Sequence, residues 1–183
     1  MLTLWDLLEK NRSSPPAPPT EPIRPPTVVV HAARVERSLM RDRYTLLVRE
    51  ALAEHRVRVR RWRSSMSGCA WEVHYADGRI ARLIEAPRPR GPMSAAVFLH
   101  EVGHHAIGFH RYKPRCLEEY HAWAWALAEM ERRELNITDA VRRRMHESLQ
   151  YAVMKARRRG IKRLPPELLP YQRRWRARPE VAA

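Results

Sequence analysis

The run His100-Glu101-Val102-Gly103-His104 is the most informative part of this sequence. Apolar residues at helical spacing surround it, so we expect it to lie on a helix. Residues four apart share one face of a helix, so His100 and His104 can present their imidazoles to one metal ion. Glu101 stands beside the first of them, where a carboxylate accepts a proton from water. The stretch therefore predicts a zinc site, with one Zn2+ per chain and Glu101 as general base.

A third metal ligand has to come from elsewhere in the chain, because a catalytic zinc ion needs three protein ligands and an open position. A metzincin would continue with Gly and His at fixed spacing after His104, and this chain does not. The next predicted helix offers Glu118, Glu119 and His121. Glu119 shares the apolar face of that helix, which would place it over the core. It is the expected third ligand, with Glu118 as the alternative.

Other stretches predict a small sheet and further helices. The predicted elements are a helix over 31–56, a hairpin of strands 70–75 and 79–84 around Asp77-Gly78, a helix from an N-cap at Ser94 to about 109, a helix over 117–134, and a last helix with Thr138 as N-cap and Gly160 as its C′ residue. The fold class is therefore α+β, mainly α-helical. We expect a zincin-like metallopeptidase with an HExxH helix, a second ligand-bearing helix and a small β-sheet or hairpin.

Composition shifts divide the chain into three parts. Residues 1–28 form an apolar N-terminal segment and a Pro-rich linker, since proline at this density prevents helices and central strands. Residues 29–165 form the metallopeptidase domain, and residues 166–183 a basic C-terminal tail. The apolar residues within 1–10 predict a short amphipathic helix that docks on this domain or on a partner.

Cysteine content and hydropathy indicate a soluble, cytoplasmic protein. Only Cys69 and Cys116 are present, which is too few for the disulfide framework of a secreted domain. The first residues lack the basic start of a secretory signal. No apolar stretch approaches the ~18 residues that span a bilayer, so we expect no membrane partner. The oligomeric state stays open.

The charge balance favours a polyanionic partner. The chain carries 35 Lys and Arg against 20 Asp and Glu, a net charge of +15. Arginine and lysine neutralise phosphates while aromatic rings stack on unpaired bases, which suits single strands better than duplexes. The alternative is a merely solvated basic surface. The candidate nucleic-acid-binding residues are Arg142, Arg143, Lys155, Arg157, Arg158, Arg159, Lys162, Arg163 and Trp175.

A family resemblance lies in two runs, His100-Glu101-Val102-Gly103-His104-His105 and Glu119-Tyr120-His121-Ala122-Trp123-Ala124-Trp125-Ala126-Leu127. Over about residues 66–130 the chain resembles the ImmA/IrrE family of regulatory zinc metallopeptidases. In that family the glutamate that opens a Glu-Ala-Asn-x-Phe-Ala-Ala-type helix is the third zinc ligand, which by position is Glu119. The chain departs from the pattern at Tyr120 and His121, where Ala and Asn are usual.

The resemblance implies a specific role. Members of the family are cytoplasmic proteases that cleave a helix-turn-helix transcriptional repressor after a DNA-damage or phage-related signal. This short, basic chain is most similar to the CapP type beside CBASS anti-phage operons, which implies single-stranded DNA as activator. Cys69 precedes the strand that borders the cleft in the family, so its thiolate is a candidate inhibitory ligand at the open zinc position, with Cys116 as the alternative.

Two other functions are compatible with a metal site in a basic protein. One is a nucleic-acid-binding protein with a structural zinc site, but such a site needs ligands and no base, and Glu101 is present. The other is a metal-dependent nuclease. Phosphodiester chemistry usually uses clusters of carboxylates that hold two metal ions, and the sequence shows no such cluster.

Overall fold

The computed structural model describes residues 27–175, with side chains from Ser38 onward, and it confirms a mainly helical α+β fold. The compact unit that carries the site begins at Arg37. The amphipathic helix expected within residues 1–10 lies outside the described residues. The elements, in chain order, are α1 Thr27–Glu54, β1 Val57–Arg63, β2 Cys69–His74, β3 Ile80–Pro87, α2 Pro92–Ile107, α3 Arg115–Arg132, α4 Asp139–Arg158 and a 3-10 helix Pro166–Gln172.

The three strands form one sheet in the order β1-β3-β2. Strands β2 and β3 are the predicted antiparallel hairpin. Its turn contains Gly78 at φ 83°, and the Asp77 carboxylate accepts from the Arg79 N–H at 3.1 Å. Strand β1 pairs with β3 in parallel and was not predicted. Four of its seven residues are arginines. Only Val57 and Val59 alternate with polar residues, which is too short a pattern to predict a strand.

Helix α2, which carries the histidine motif, begins two residues before the predicted N-cap. Gly91 is the N-cap and Pro92 opens the helix, so the expectation that Ser94 caps it was wrong. Proline suits the first helical position because its φ is already helical and its missing N–H needs no partner. Ser94 lies in the first turn, where its Oγ accepts from the Gly91 N–H at 3.1 Å. The helix ends at Ile107, before Gly108 at φ 82°.

Helices α2 and α3 pack in close contact. Twelve consecutive residues of α2, from Ser94 to His105, are buried, so the helix runs through the centre of the fold. A Cβ atom on Gly103 would lie 2.8 Å from the Ala122 backbone oxygen of α3. Glycine is therefore the residue that lets the two backbones approach here. The close approach brings the α2 histidines next to the first turns of α3.

The caps of α4 agree with the prediction. Thr138 is the N-cap, its Oγ1 accepting from the Val141 N–H at 3.3 Å, and Gly160 follows the helix at φ 91°. The following 3-10 helix buries Leu168 completely in a cluster with Cys116 and Val153. The packed region thus continues beyond residue 165, where a basic tail was expected to begin. No helix within 27–175 has the length and apolar character needed to cross a membrane.

Candidate metal centre

Three side chains meet where α2 packs against α3, and together they could hold a metal ion. His100 Nε2 lies 3.3 Å and His104 Nε2 lies 3.6 Å from the same oxygen, Oε2 of Glu119. The ligand atoms of all three residues lie within 4.8 Å of one another. Both imidazoles are buried, and the glutamate is partly exposed toward a cavity. Two imidazole nitrogens and a carboxylate oxygen are a donor set that suits zinc and related divalent ions.

The two adjacent glutamates of α3 lie on opposite sides of His104. Glu119 approaches its Nε2, whereas Glu118 Oε1 lies 3.7 Å from its Nδ1. Glu118 is 2% exposed, and its other oxygen accepts from the backbone N–H of His110 at 2.8 Å. Among the described residues neither Oε1 of Glu118 nor Nδ1 of His104 has a hydrogen-bond partner, so Glu118 faces the Nδ1 side of the ring at ion-pair distance only. The geometry therefore places Glu119 in the cluster and Glu118 behind it.

Aromatic rings hold the two imidazoles in place. His100 stacks on Trp123, with ring centroids 4.4 Å apart and planes at 22°. His104 lies parallel to Phe109, with centroids 5.9 Å apart. Apolar walls of this kind exclude water from the rear of the imidazoles and restrict their rotation. The ligand nitrogens are consequently positioned before any metal ion binds.

Burial and the short contacts shift the pKa of each group in the cluster. Burial lowers the pKa of His100. Burial also lowers the pKa of His104, but the carboxylates of Glu118 and Glu119 outweigh it and raise the pKa to about 9. Burial raises the pKa of Glu119, and its contacts with the two imidazoles outweigh that effect and lower it. The contacts therefore favour the ionised carboxylate of Glu119 and the protonated imidazole of His104, and a metal ion would compete with that proton.

Glu101 lies in the same cavity as the cluster but outside the ligand group. It is 5% exposed, and burial raises its pKa to about 7. A carboxyl group with this pKa can both accept and deliver a proton near neutral pH. The loop before β2 presses against it: a Cβ on Gly68 would lie 2.5 Å from Glu101 Cγ. This contact was not predicted, because residues far apart in sequence meet here without any pattern that signals it.

Two neighbouring histidines lie outside the cluster. His105 is buried, and its Nε2–H donates to the Leu83 backbone oxygen of β3 at 3.1 Å. Burial lowers the pKa of His105 to about 4, so the ring is neutral and serves to attach α2 to the sheet. His121, one of the possible third ligands, stacks on Tyr112 with ring centroids 3.8 Å apart.

A cavity of about 430 Å³ opens next to the cluster, and both cysteines line it. The Cys69 thiol accepts from Nη2 of Arg63 at 3.4 Å. Burial raises the pKa of Cys69 and of Cys116. Neither sulfur belongs to the group of atoms that could share a metal ion. In this conformation both cysteines are thiols on the cavity wall, and the inhibitory role expected for Cys69 stays a prediction.

The predicted nucleic-acid-binding residues have different surroundings in the structure. Lys155 and Arg159 line the metal-site cavity. Arg142 lines a second cavity together with Trp175. Arg143 is engaged with Glu147, Nε to Oε1 at 2.8 Å.

The other predicted nucleic-acid-binding residues are exposed: Arg157, Arg158, Lys162 and Arg163. Arg157 donates to the Gln172 side chain. The Trp175 ring is half-buried and packs edge-on against His146, with ring centroids 5.4 Å apart. Basic residues that are close in sequence therefore point to at least two different parts of the surface.

Comparisons of the chain with protein-family models, curated proteins and solved structures give no match. The assignment of the site therefore depends on its own geometry and on the residues that carry the resemblance. That geometry defines a group of two buried histidines and a partly exposed glutamate that could hold a metal ion, with a further carboxyl group in the same cavity.

Proposed function

We propose that the protein is a zinc-dependent endopeptidase of the gluzincin type, with His100, His104 and Glu119 as ligands. The observation that carries this proposal is the position of Glu101, buried beside the ligand group in the same cavity. A structural zinc site is closed by four protein ligands and has no use for a base. Among the side chains described, 38–175, the ligand group contains three residues, which would leave one position for water or substrate.

The roles of the side chains follow from their places in the cavity. Zinc bound by the three ligands would supply Lewis-acid chemistry, lowering the pKa of water and polarising a peptide carbonyl. Glu101 takes the proton of the attacking water and later delivers it to the leaving amine. Glu118 keeps the ring of His104 in the orientation in which Nε2 faces the ligand group.

Strand β2 offers a binding mode for an extended peptide. It is an edge strand, paired only with β3, and its first residues Cys69 and Ala70 line the cavity. An edge strand presents unpaired N–H and C=O groups, to which a peptide can add as a further strand. A substrate bound in this way would cross the cavity next to Glu101. This supports an endopeptidase that acts within an extended segment.

For the biological role we propose that the enzyme belongs to the ImmA/IrrE type and cleaves a helix-turn-helix repressor in the cytoplasm. Single-stranded DNA is the proposed activator, and phage defence beside a CBASS operon is the proposed setting. Support comes from the two motif runs and from the net charge of +15, which favours a polyanionic ligand. Binding through phosphates should weaken steeply with salt and depend little on DNA sequence.

A nucleic-acid-binding protein with a structural metal site is the second candidate. The observation in its favour is the second cavity, where Arg142 lies together with Tyr171 and Trp175. A cation and aromatic rings in one pocket are the elements that bind an unpaired nucleotide. This function does not explain why Glu101 is buried in the metal-site cavity.

The test is cleavage of the helix-turn-helix protein encoded in the neighbouring operon. Wild type, Glu101→Gln and the control Glu131→Gln, an exposed carboxylate of α3, are compared with and without single-stranded DNA at two salt concentrations. We expect the wild type and the control to cleave, most strongly with DNA at low salt. Glu101→Gln should bind zinc with unchanged stoichiometry and lose cleavage by more than about a hundredfold. DNA binding without cleavage by the wild type would favour the second candidate.

A further inference from the structure

Basic side chains line one end of the metal-site cavity. Besides Glu101 and Glu119, the charged residues that line it are all basic. Three of them, Arg115, Lys155 and Arg159, come from the first turn of α3 and from the end of α4. These segments are neighbours, because Cys116 of α3 packs in one cluster with Val153 of α4. We call the three residues the cationic end of the cavity.

The cationic end of the cavity lies next to the proposed metal ligand Glu119. Arg115 Nε is 3.7 Å from Oε1 of Glu119, a proposed metal ligand one helical turn away. One turn of helix measures ~5.4 Å, and an extended peptide advances ~3.3 Å per residue. Side chains two to four positions from the cleaved bond lie roughly 7 to 13 Å away along an extended chain. Such a span is compatible with the one cavity that Lys155 and Arg159 share with Glu101 and Glu119.

Lys155 and Arg159 are available to a ligand. Both are exposed. Among the side chains that the structure describes, 38–175, no carboxylate lies within ion-pair distance of either, whereas Arg143 on the same helix is paired with Glu147. The two cations are four residues apart, so they project from the same face of α4 into one cavity. An acidic group that enters the cavity could therefore form an ion pair with Lys155 and Arg159.

From this arrangement we infer that the enzyme prefers substrates with an aspartate or glutamate two to four positions from the cleaved bond, bound by Lys155 and Arg159. The inference rests on the proposed peptidase function and specifies its substrate class. A peptide fits better than a nucleic acid as the occupant, because the same cavity contains the edge strand β2 and the general base. If Lys155 and Arg159 bind a carboxylate of the substrate, they would determine which peptide bond lies next to Glu101.

The experiment uses the zinc-loaded full chain and a peptide that spans the cleavage site of the repressor. Variants of this peptide carry a single Asp or a single Lys at each of the four positions on either side of the cleaved bond. Cleavage is measured as kcat/KM, and binding is measured separately by fluorescence anisotropy on Glu101→Gln, which does not consume the peptide. The tested enzyme is Lys155→Glu/Arg159→Glu. Its control, Arg41→Glu/Arg49→Glu, makes the same charge change at exposed residues of α1.

On one side of the cleaved bond, we expect peptides with Asp to have a kcat/KM and an affinity about fivefold higher than peptides with Lys. This factor corresponds to the free energy of an exposed ion pair. The preference should vanish or reverse in Lys155→Glu/Arg159→Glu and persist in the control. Cleavage with equal preference for Asp and Lys would overturn the inference and leave the peptidase function intact. Displacement of the peptide by a single-stranded oligonucleotide through Lys155 and Arg159 would also overturn it. If the wild type cleaves no repressor-derived peptide, the proposed function itself fails.

Discussion

The metal centre and the basic C-terminal region differ in how their charged groups are stabilised. In the centre, Glu118 and the two ligand histidines are buried, and each faces a specific partner from the neighbouring helix. In the basic region, Arg143 pairs with Glu147 of its own helix, Arg157 donates to Gln172 of the 3-10 helix, and both arginines are exposed. Buried polar groups need partners at fixed positions, whereas exposed ones are satisfied by water. Spacing in the sequence therefore says more about the partners in the first region than about those in the second.

The largest expected effect is a difference in zinc affinity between variants of the two adjacent glutamates of α3. Glu119→Gln removes a charged ligand and should weaken zinc binding by more than about a hundredfold, beyond the range typical of an outer partner. Glu118→Gln leaves the ligand set intact and loosens only the orientation of His104, so a loss of about tenfold to a hundredfold is expected. Competition with a metal-sensitive dye measures both. Equal losses would contradict the assignment of Glu118 to the Nδ1 side.

A smaller effect on catalysis is expected from Gly68→Ala. The new Cβ would overlap Glu101 Cγ at 2.5 Å, so the flexible carboxylate must move from its place beside the ligands. Displacement of a catalytic group by ~1 Å can cost as much as a hundredfold, so we expect kcat to fall about tenfold to a hundredfold. Zinc affinity, measured in parallel, should stay at the wild-type value. A loss of zinc would mean that the loop supports the ligands rather than the base.

Gly103→Ala tests the packing of the two ligand-bearing helices. Its Cβ would meet the Ala122 backbone oxygen at 2.8 Å, and a backbone atom cannot rotate away. Overpacking should cost about 1–3 kcal/mol in the free energy of unfolding, measured with urea. Gly91→Ala is the control, since a Cβ there meets nothing within 4 Å. It should cost less than about 1 kcal/mol, through the weaker N-cap preference of alanine. Equal stability of the two variants would argue against the close approach.

The smallest effect is expected in the basic region. Arg143→Ala breaks an exposed ion pair between residues one helical turn apart, with Glu147 as its partner. Such pairs contribute about 0.3–0.5 kcal/mol, so the urea midpoint should barely change. A loss above about 1 kcal/mol would show that the exposed charges of α4 stabilise the fold as buried groups do.

The sequence was sufficient wherever local rules determine the structure. His100 and His104 at i and i+4, the Asp77-Gly78 hairpin turn and the caps Thr138 and Gly160 are determined by residues close together in the chain. Strand β1 was not predicted, because its arginines mask the alternation and its partner β3 is distant in sequence. The Ser94 prediction failed because a serine in the first turn can bond the N-cap backbone from inside the helix.

Parts of the site could not be predicted because they depend on distances between elements. From the sequence, Glu118 and Glu119 are adjacent alternatives for the third ligand. Only the packing of α2 against α3 shows that Glu119 faces Nε2 of His104 and Glu118 faces Nδ1. The approach of Gly68 to Glu101 depends on a loop conformation that no periodicity describes. The sequence also did not show that Lys155 and Arg159 line the same cavity as the candidate metal ligands.

The two carboxylates on either side of His104 also set the charge of the metal site as a whole. When a metal ion has displaced the proton from His104, both imidazoles are neutral, and Glu118 and Glu119 together carry two negative charges. A net charge enclosed in an apolar interior is costly. A divalent cation would offset these two charges, and Arg115, 3.7 Å from Glu119, and Glu101 in the same cavity enter the same balance. We therefore expect the site to favour a divalent over a monovalent ion through its charge as well as through its donor atoms.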